Sequence, residues 1–243
     1  MKYCYTIGGE FMLRIGIPLR YNHLDDGRCI LYLGERVRRT IQKAGGFVIP
    51  IVPVQDVDYC DTKFDEFEEL SSLEKDCIEE YLNMVDGVIF PGGHKITPFD
   101  VYLLKRCIKR DIPTLGICLG MQLMSCYQEY FRVYKNESDV SHYQESDDGF
   151  SHEVEIFSDS KLFKILNTRR ISVNSFHHYH IHITNEYVIS AVSDDGYIEG
   201  IEIPSLKFHI GIQWHPEISY SFDDNSKKII DYFIRVCIEN AEK

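Results

Sequence analysis

No stretch of this chain approaches the roughly 18 consecutive apolar residues that a membrane-spanning helix needs. Hydrophobic residues nonetheless make up 44% of it. No two of its eight cysteines form a C-x-x-C pair, so a zinc site or a redox dithiol is not expected, and a reducing compartment is. Basic residues are in deficit: 26 Lys and Arg stand against 38 Asp and Glu, a net charge of −12. Without a basic surplus the surface cannot neutralise a run of phosphates, which argues against a general nucleic-acid partner. The N-terminus lacks a basic segment followed by an apolar core, so no signal peptide is expected. Internal repeats and linkers are also missing. These absences point to a soluble cytoplasmic protein with neither membrane nor nucleic-acid partner, and 243 residues can bury a large core.

What is present alternates between strand and helix. The first convincing strand covers residues 13–18, so residues 1–12 read as an N-terminal extension and residues 13–243 as one domain. The extension could be an added strand, a flexible leader, or a segment upstream of a start at Met12. Helical periodicity runs over 31–44 and stops at Gly45-Gly46. Strand 47–52, helix 73–83, strand 87–90 and helix 99–110 follow. The acidic stretch 54–71 interrupts them as a solvated excursion, with a cationic partner site as the alternative. Such alternation predicts an α/β fold with a mostly parallel sheet covered by helices on both faces. From residue 152 the elements are shorter and mostly β, at 152–157, 170–173, 188–192, 197–203 and 208–213. Asp194-Asp195-Gly196 forms a hairpin-type turn. Residues 132–150 are a polar loop, and 223–240 a closing helix.

The chemistry concentrates at two places. In Ile112-Pro-Thr-Leu-Gly-Ile-Cys-Leu-Gly-Met-Gln-Leu-Met124, an apolar strand ends and a helix begins around Cys118. Gly116 and Gly120 flank it at two residues on either side, the G-x-nucleophile-x-G elbow with sulfur as nucleophile. Amide dipoles of the following helix favour a thiolate there. Taken alone, the segment suits a buried structural cysteine equally well. The second place is Gly211-Ile-Gln-Trp-His-Pro-Glu217, which follows another apolar strand. An extended segment puts His215 and Glu217 on one face, and Pro216 turns the chain out of the sheet. A thiol needs a base and the base needs an orienting acceptor. Cys118, His215 and Glu217 supply the three in that order.

With both segments in one chain, the sequence resembles the class I glutamine amidotransferase-like superfamily. Within it, the chain is most similar to the gamma-glutamyl hydrolase branch (peptidase C26), over roughly residues 13–240. Asp86-Gly-Val-Ile-Phe-Pro-Gly-Gly93, Val173-Asn-Ser-Phe-His-His178 and Asp195-Gly-Tyr-Ile-Glu-Gly-Ile201 carry the likeness further. The resemblance implies a flavodoxin-like sheet with an added smaller β region. It implies an oxyanion hole from the Gly93 and Leu119 amides, whereas Pro91-Gly92-Gly93 alone reads as a tight turn. It also implies a glutamyl pocket built from Gly92, Gln122, Asn174, Ser175, His177, His178 and Tyr179. His178, His180 and His182 would share a strand face, but their spacing fits no zinc pattern well, so neither metal nor organic cofactor is expected.

The expected reaction is hydrolysis of a gamma-glutamyl amide through a glutamyl thioester, with a gamma-glutamyl compound or glutamine as substrate. Three departures from the branch bear on the leaving-group side. Leu119 follows the nucleophile where arginine is usual, Lys95 replaces an acidic residue, and 126–131 replaces a glycine-rich segment. Leu119 is the residue of ammonia-donating amidotransferases. The second reading is therefore a glutaminase subunit that serves a separate synthetase partner, and a third is a noncatalytic binding protein.

Overall fold

The computed structural model describes residues 6–7, 10–128, 133–183 and 185–242. Most of the N-terminal extension lies outside these residues. Of it, Thr6–Ile7 and Glu10–Phe11 pair as two short antiparallel strands.

Nine strands form one sheet. Numbered along the chain, they are β1 (Leu13–Pro18), β2 (Gly46–Ile51), β3 (Gly87–Phe90), β4 (Thr114–Ile117), β5 (His152–Ile156), β6 (Arg170–Val173), β7 (Val188–Ser193), β8 (Ile198–Glu202) and β9 (His209–Ile212). Their spatial order is β6-β5-β7-β8-β9-β4-β3-β1-β2. The pairs from β9 to β2 are parallel and those from β6 to β9 antiparallel. The expected smaller β region is therefore a continuation of the main sheet, accompanied by small two-stranded pairs. β3, β4 and β9 are buried along their whole length, which is why they read as mostly apolar runs without alternation, Thr114 and His209 being the buried polar exceptions.

Helices cover both faces. One apolar core joins the sheet to α1 (Glu35–Lys43), α5 (Lys161–Leu166) and α7 (Asp224–Ala241), through Val37, Ile41, Leu162, Leu166, Ile229 and Phe233. The other joins it to α2 (Ser72–Met84), α3 (Pro98–Lys109) and α4 (Leu119–Cys126), through Ile78, Leu82, Leu103, Leu104, Met121 and Met124. Local chemistry starts two of these helices. Ser71 and Glu74 cap α2 reciprocally, and Thr97 and Asp100 do the same for α3. Among the described residues, no helix is long and apolar enough to cross a membrane.

Two regions differ from expectation. The helix expected from residue 31 begins at Glu35, because Cys29–Tyr32 pairs with Arg20–His23 as a hairpin. Its alternating exposure is that of an edge hairpin, and Gly27 takes the positive φ of +83° in the turn. Cys29 is joined by a disulfide to Cys60 in the acidic excursion, contrary to the reducing reading of the cysteines. Lys95 is partly buried and is engaged with the acidic excursion. Its ammonium donates to the backbone carbonyls of Tyr59 (2.9 Å), Cys60 (3.3 Å) and Thr62. The acidic excursion is thus fastened at two points beside the Pro91-Gly92-Gly93 turn.

Candidate active site

Parallel pairing of β9 with β4 sets the site. Gly211 lies opposite Gly116 and Ile212 opposite Ile117, so both strands run out at the same edge of the sheet. The Cys118 amide still donates to the Ile212 carbonyl at 2.9 Å. Beyond that point α4 starts at Leu119 on one chain segment, and His215 stands at the start of α6 (Pro216–Ser219) on the other. This is the carboxyl end of a parallel sheet, where ligands bind in open α/β folds.

Cys118 has φ +52° and ψ −106°, a conformation that non-glycine residues avoid. The flanking glycines make the turn fit. A Cβ on Gly116 would come within 2.7 Å of the Met124 sulfur, and one on Gly120 within 2.1 Å of the Phe90 carbonyl oxygen. α4 therefore packs onto β3 backbone to backbone. Gly92 completes the enclosure, since a Cβ there would sit 3.0 Å from His215 Cε1 and 3.7 Å from Cys118 Cβ. Gly93 faces the Arg20 side chain and Leu119 Cδ2, each about 3 Å from such a Cβ.

His215 is held on three sides. Its Nδ1 pairs with Glu217 Oε1 at 2.7 Å. Its backbone N–H donates to Asn174 Oδ1 and its carbonyl accepts from Asn174 Nδ2, both at 2.8 Å. The Phe176 ring meets the imidazole edge-on at 5.5 Å. Burial disfavours the imidazolium, but the Glu217 carboxylate and the neighbouring Cys118 outweigh it and hold the His215 pKa well above the ordinary histidine value. α1 fixes the acceptor from behind, with Thr40 Oγ1 donating to the Glu217 carbonyl at 2.9 Å. A thiol beside an oriented, protonatable imidazole is the arrangement of a cysteine nucleophile with its acid–base partner.

The residues expected to line a glutamyl pocket are distributed more widely. Gln122 is one turn into α4 and reaches the Tyr179 carbonyl and Gln213 Oε1, each at 3.4 Å. Asn174 uses its amide on the His215 backbone. Ser175 is buried and holds the preceding loop, its hydroxyl donating to the His142 carbonyl at 2.7 Å. His177 is also buried and turns away from the nucleophile, with Nε2 3.3 Å from Glu199 Oε1. His178 and Tyr179 are exposed, and His178 stacks on Tyr143 at 4.4 Å.

Sequence reasoning overlooked Arg20. Its buried guanidinium pairs with Asp100 at 2.7 Å and donates twice to the Pro91 carbonyl, at 3.0 and 3.3 Å. It thereby fixes the peptide that enters Gly92-Gly93. The Thr97–Asp100 capping box was readable, but nothing local marks an arginine 80 residues away as its partner.

The family model for peptidase C26 matches residues 99–217, the span that contains Cys118, His215 and Glu217. A candidate glutamine amidotransferase of Schizosaccharomyces pombe is 33% identical, with 62% of this chain and 69% of that protein covered. The chain belongs to the peptidase C26 family of class I glutamine amidotransferase-like proteins. Another family relative is a glutamine amidotransferase-like protein of Rickettsia prowazekii, 29% identical over 61% of this chain and 76% of its own. The CTP synthase of Lactobacillus johnsonii is 29% identical, matching 61% of this chain but only 34% of the synthase. In fold, this C26 chain is similar to the glutaminase domain of the Trypanosoma brucei CTP synthase. That likeness has a TM-score of 0.58 at 18% identity, over 96% of this chain and 95% of the other.

Proposed function

We propose that the chain is a cysteine-dependent hydrolase of gamma-glutamyl amide bonds that works through a glutamyl thioester. The observation that carries this reading is a cysteine on a positive-φ elbow beside a histidine whose imidazolium is favoured by Glu217. In the proposed cycle the Cys118 thiolate adds to the gamma-carbonyl carbon. The Gly93 and Leu119 amides hold the resulting oxyanion. The His215 imidazolium gives its proton to the amine nitrogen, the C–N bond breaks, and the amine leaves. Water then adds to the thioester as His215 takes its proton, and collapse expels the thiolate and releases glutamate. Gln122, Tyr179 and His178 are the proposed contacts for the glutamyl end, with Gly92 giving room for it. The chemistry calls for no cofactor. Candidate leaving groups are gamma-aminobutyrate and other polyamine-derived amines, ammonia, or folate-type polyglutamates. We place the enzyme in the cytoplasm, where the Cys29–Cys60 disulfide of the structure would be open to reduction.

A second reading is a glutaminase subunit that hands ammonia to a separate synthetase. Leu119 after the nucleophile favours it, as does the match to one third of a CTP synthase. Glutamate release by the purified chain tests both, with glutamine compared against a panel of gamma-glutamyl amines. Turnover of a gamma-glutamyl amine well above glutamine is the expected result. Glutaminase activity that appears only with an added synthetase would establish the second reading instead. Cys118→Ala is expected to lower turnover by about a thousandfold or more while the far-UV circular dichroism spectrum stays unchanged. Substantial turnover by the pure variant would remove Cys118 from the mechanism.

A further inference from the structure

Four side chains with no part in the proposed cycle meet on the far side of the segment that clamps His215. His142 comes from the loop before β5, His152 opens β5, His177 follows β6, and Glu199 lies on β8. Glu199 is fully buried, and the three imidazoles are at most 5% exposed. Glu199 Oε1 lies 3.3 Å from His142 Nδ1, 3.5 Å from His152 Nε2 and 3.3 Å from His177 Nε2. His142 Nδ1 and His177 Nε2 are 3.2 Å apart.

The outward nitrogens decide what the inward ones can offer. His142 Nε2 faces Asp195 Oδ2 at 2.9 Å, His152 Nδ1 the Ser141 carbonyl at 3.1 Å, and His177 Nδ1 the Tyr179 carbonyl at 3.0 Å. All three partners are acceptors, but His177 Nδ1 also lies 3.5 Å from the Asn136 side-chain amide nitrogen, a donor. At His142 and His152 the outward nitrogen therefore carries the proton of a neutral ring, and the inward nitrogen presents a lone pair. The His142 and His152 lone pairs converge with a Glu199 carboxylate oxygen. His152 Nε2 and both Glu199 oxygens are buried without a hydrogen bond of good geometry. Such a cluster is costly unless a positive charge sits within it.

Spacing and donor type say which charge fits. Ligands about 2.0–2.1 Å from a tetrahedral zinc ion are about 3.3 Å from one another. Glu199 Oε1 lies 3.3 Å from His142 Nδ1 and 3.5 Å from His152 Nε2, and the ligand atoms of these three residues all fall within 4.8 Å of one another. Two imidazoles and one carboxylate, with a fourth position for water, suit a first-row transition ion and not calcium or magnesium, which prefer oxygen. The outward carboxylate and carbonyl are the outer partners that orient metal-bound histidines. A cleft of about 180 Å³ bordered by His142 and His177 gives a way in. Extra protons on the rings are the competing source of charge.

We propose that His142, His152 and Glu199 bind one divalent cation of the zinc class, and that this ion fastens the His142 loop, whose carbonyl accepts from Ser175 Oγ and the His177 amide and so holds the Asn174–Tyr179 segment behind His215. Its role is positioning, because Asn174 clamps the His215 backbone and Phe176 abuts its ring. The assignment does not depend on which amide the enzyme cleaves.

The test uses the full chain carrying Cys118→Ala, so that the nucleophile cannot act as a ligand. After chelator treatment and dialysis, zinc is titrated calorimetrically, and cobalt(II) is added to a parallel sample. The expected result is one equivalent of zinc and the intense visible absorption of tetrahedral cobalt(II), without thiolate charge-transfer bands. Adding His152→Ala should abolish that absorption, and Asp195→Asn should weaken zinc binding about 10–100-fold. His152 enters from the end of its strand, so its loss leaves the core intact. If Glu199→Gln unfolds, the other two variants still decide. A folded protein that takes up no stoichiometric zinc or cobalt would overturn the proposal in favour of a protonated hydrogen-bond network. So would binding that His152→Ala and Asp195→Asn leave unchanged.

Discussion

A residue held at φ +52° costs about 1–3 kcal/mol and persists only where its neighbours over-determine it. At Cys118 they do, and the return on that strain is a thiol aimed at His215. Glu217 then sets the charge state of the pair. Because the folded pKa of His215 is raised, its imidazolium persists to higher pH than a free histidine would allow. The stability from this interaction is fully present below the unfolded value and is lost as pH rises through the folded one. Glu217→Gln keeps the shape and removes the charge. It is expected to lower kcat by about a hundredfold or more. The alkaline limb of the rate profile should move to lower pH, as should the His215 titration followed by NMR. A variant that keeps the wild-type alkaline limb would show that Glu217 orients the ring without tuning it.

The elbow works only if the element behind it lies close. α4 touches β3 at Gly120, where a methyl group would fall 2.1 Å from the Phe90 carbonyl oxygen. Backbone cannot yield as a flexible side chain would, so α4 must lift, carrying Cys118 and the Leu119 amide with it. Gly120→Ala is expected to cost about 3 kcal/mol or more in urea unfolding and to lower glutamate release in the fraction that stays folded. This element was legible because its constraints are local: an apolar run, two glycines and a cysteine occupy a single stretch of chain. β1, β3 and the α7 stripe were legible for the same reason. The hairpin before α1 was not, since its pairing depends on a turn at Gly27 and its residues also match a helical period. The pocket was half legible. Asn174 and His177 stand in the expected segment, but whether a polar side chain faces substrate, His215 or Glu199 depends on elements up to 41 residues away. Nothing in the sequence near Arg20 or His142 records those distances.

At the scale of the whole molecule, the acid limit of stability rests partly on one buried histidine. His209 opens β9 opposite Thr114 and is fully enclosed. Burial pulls its pKa down to about 4, a shift that Asp111 partly opposes and Lys161 reinforces. In the unfolded chain it titrates near the ordinary value of about 6.5. Between those two values the unfolded state binds more protons than the folded one, so stability falls as pH drops through that window. One group with such a shift removes at most about 3 kcal/mol by the time pH reaches 4. His209→Gln cannot take up that proton. The substitution itself will shift the height of the stability curve, so the informative quantity is the slope. Urea unfolding at intervals from about pH 7 to 4.5 should show the wild type losing more stability than the variant, with the gap opening below about pH 6.5. The remaining carboxylates and histidines titrate alike in both proteins and cancel in the difference. Parallel curves would mean that His209 is reached by water or proton donors in the folded state and does not set the acid limit.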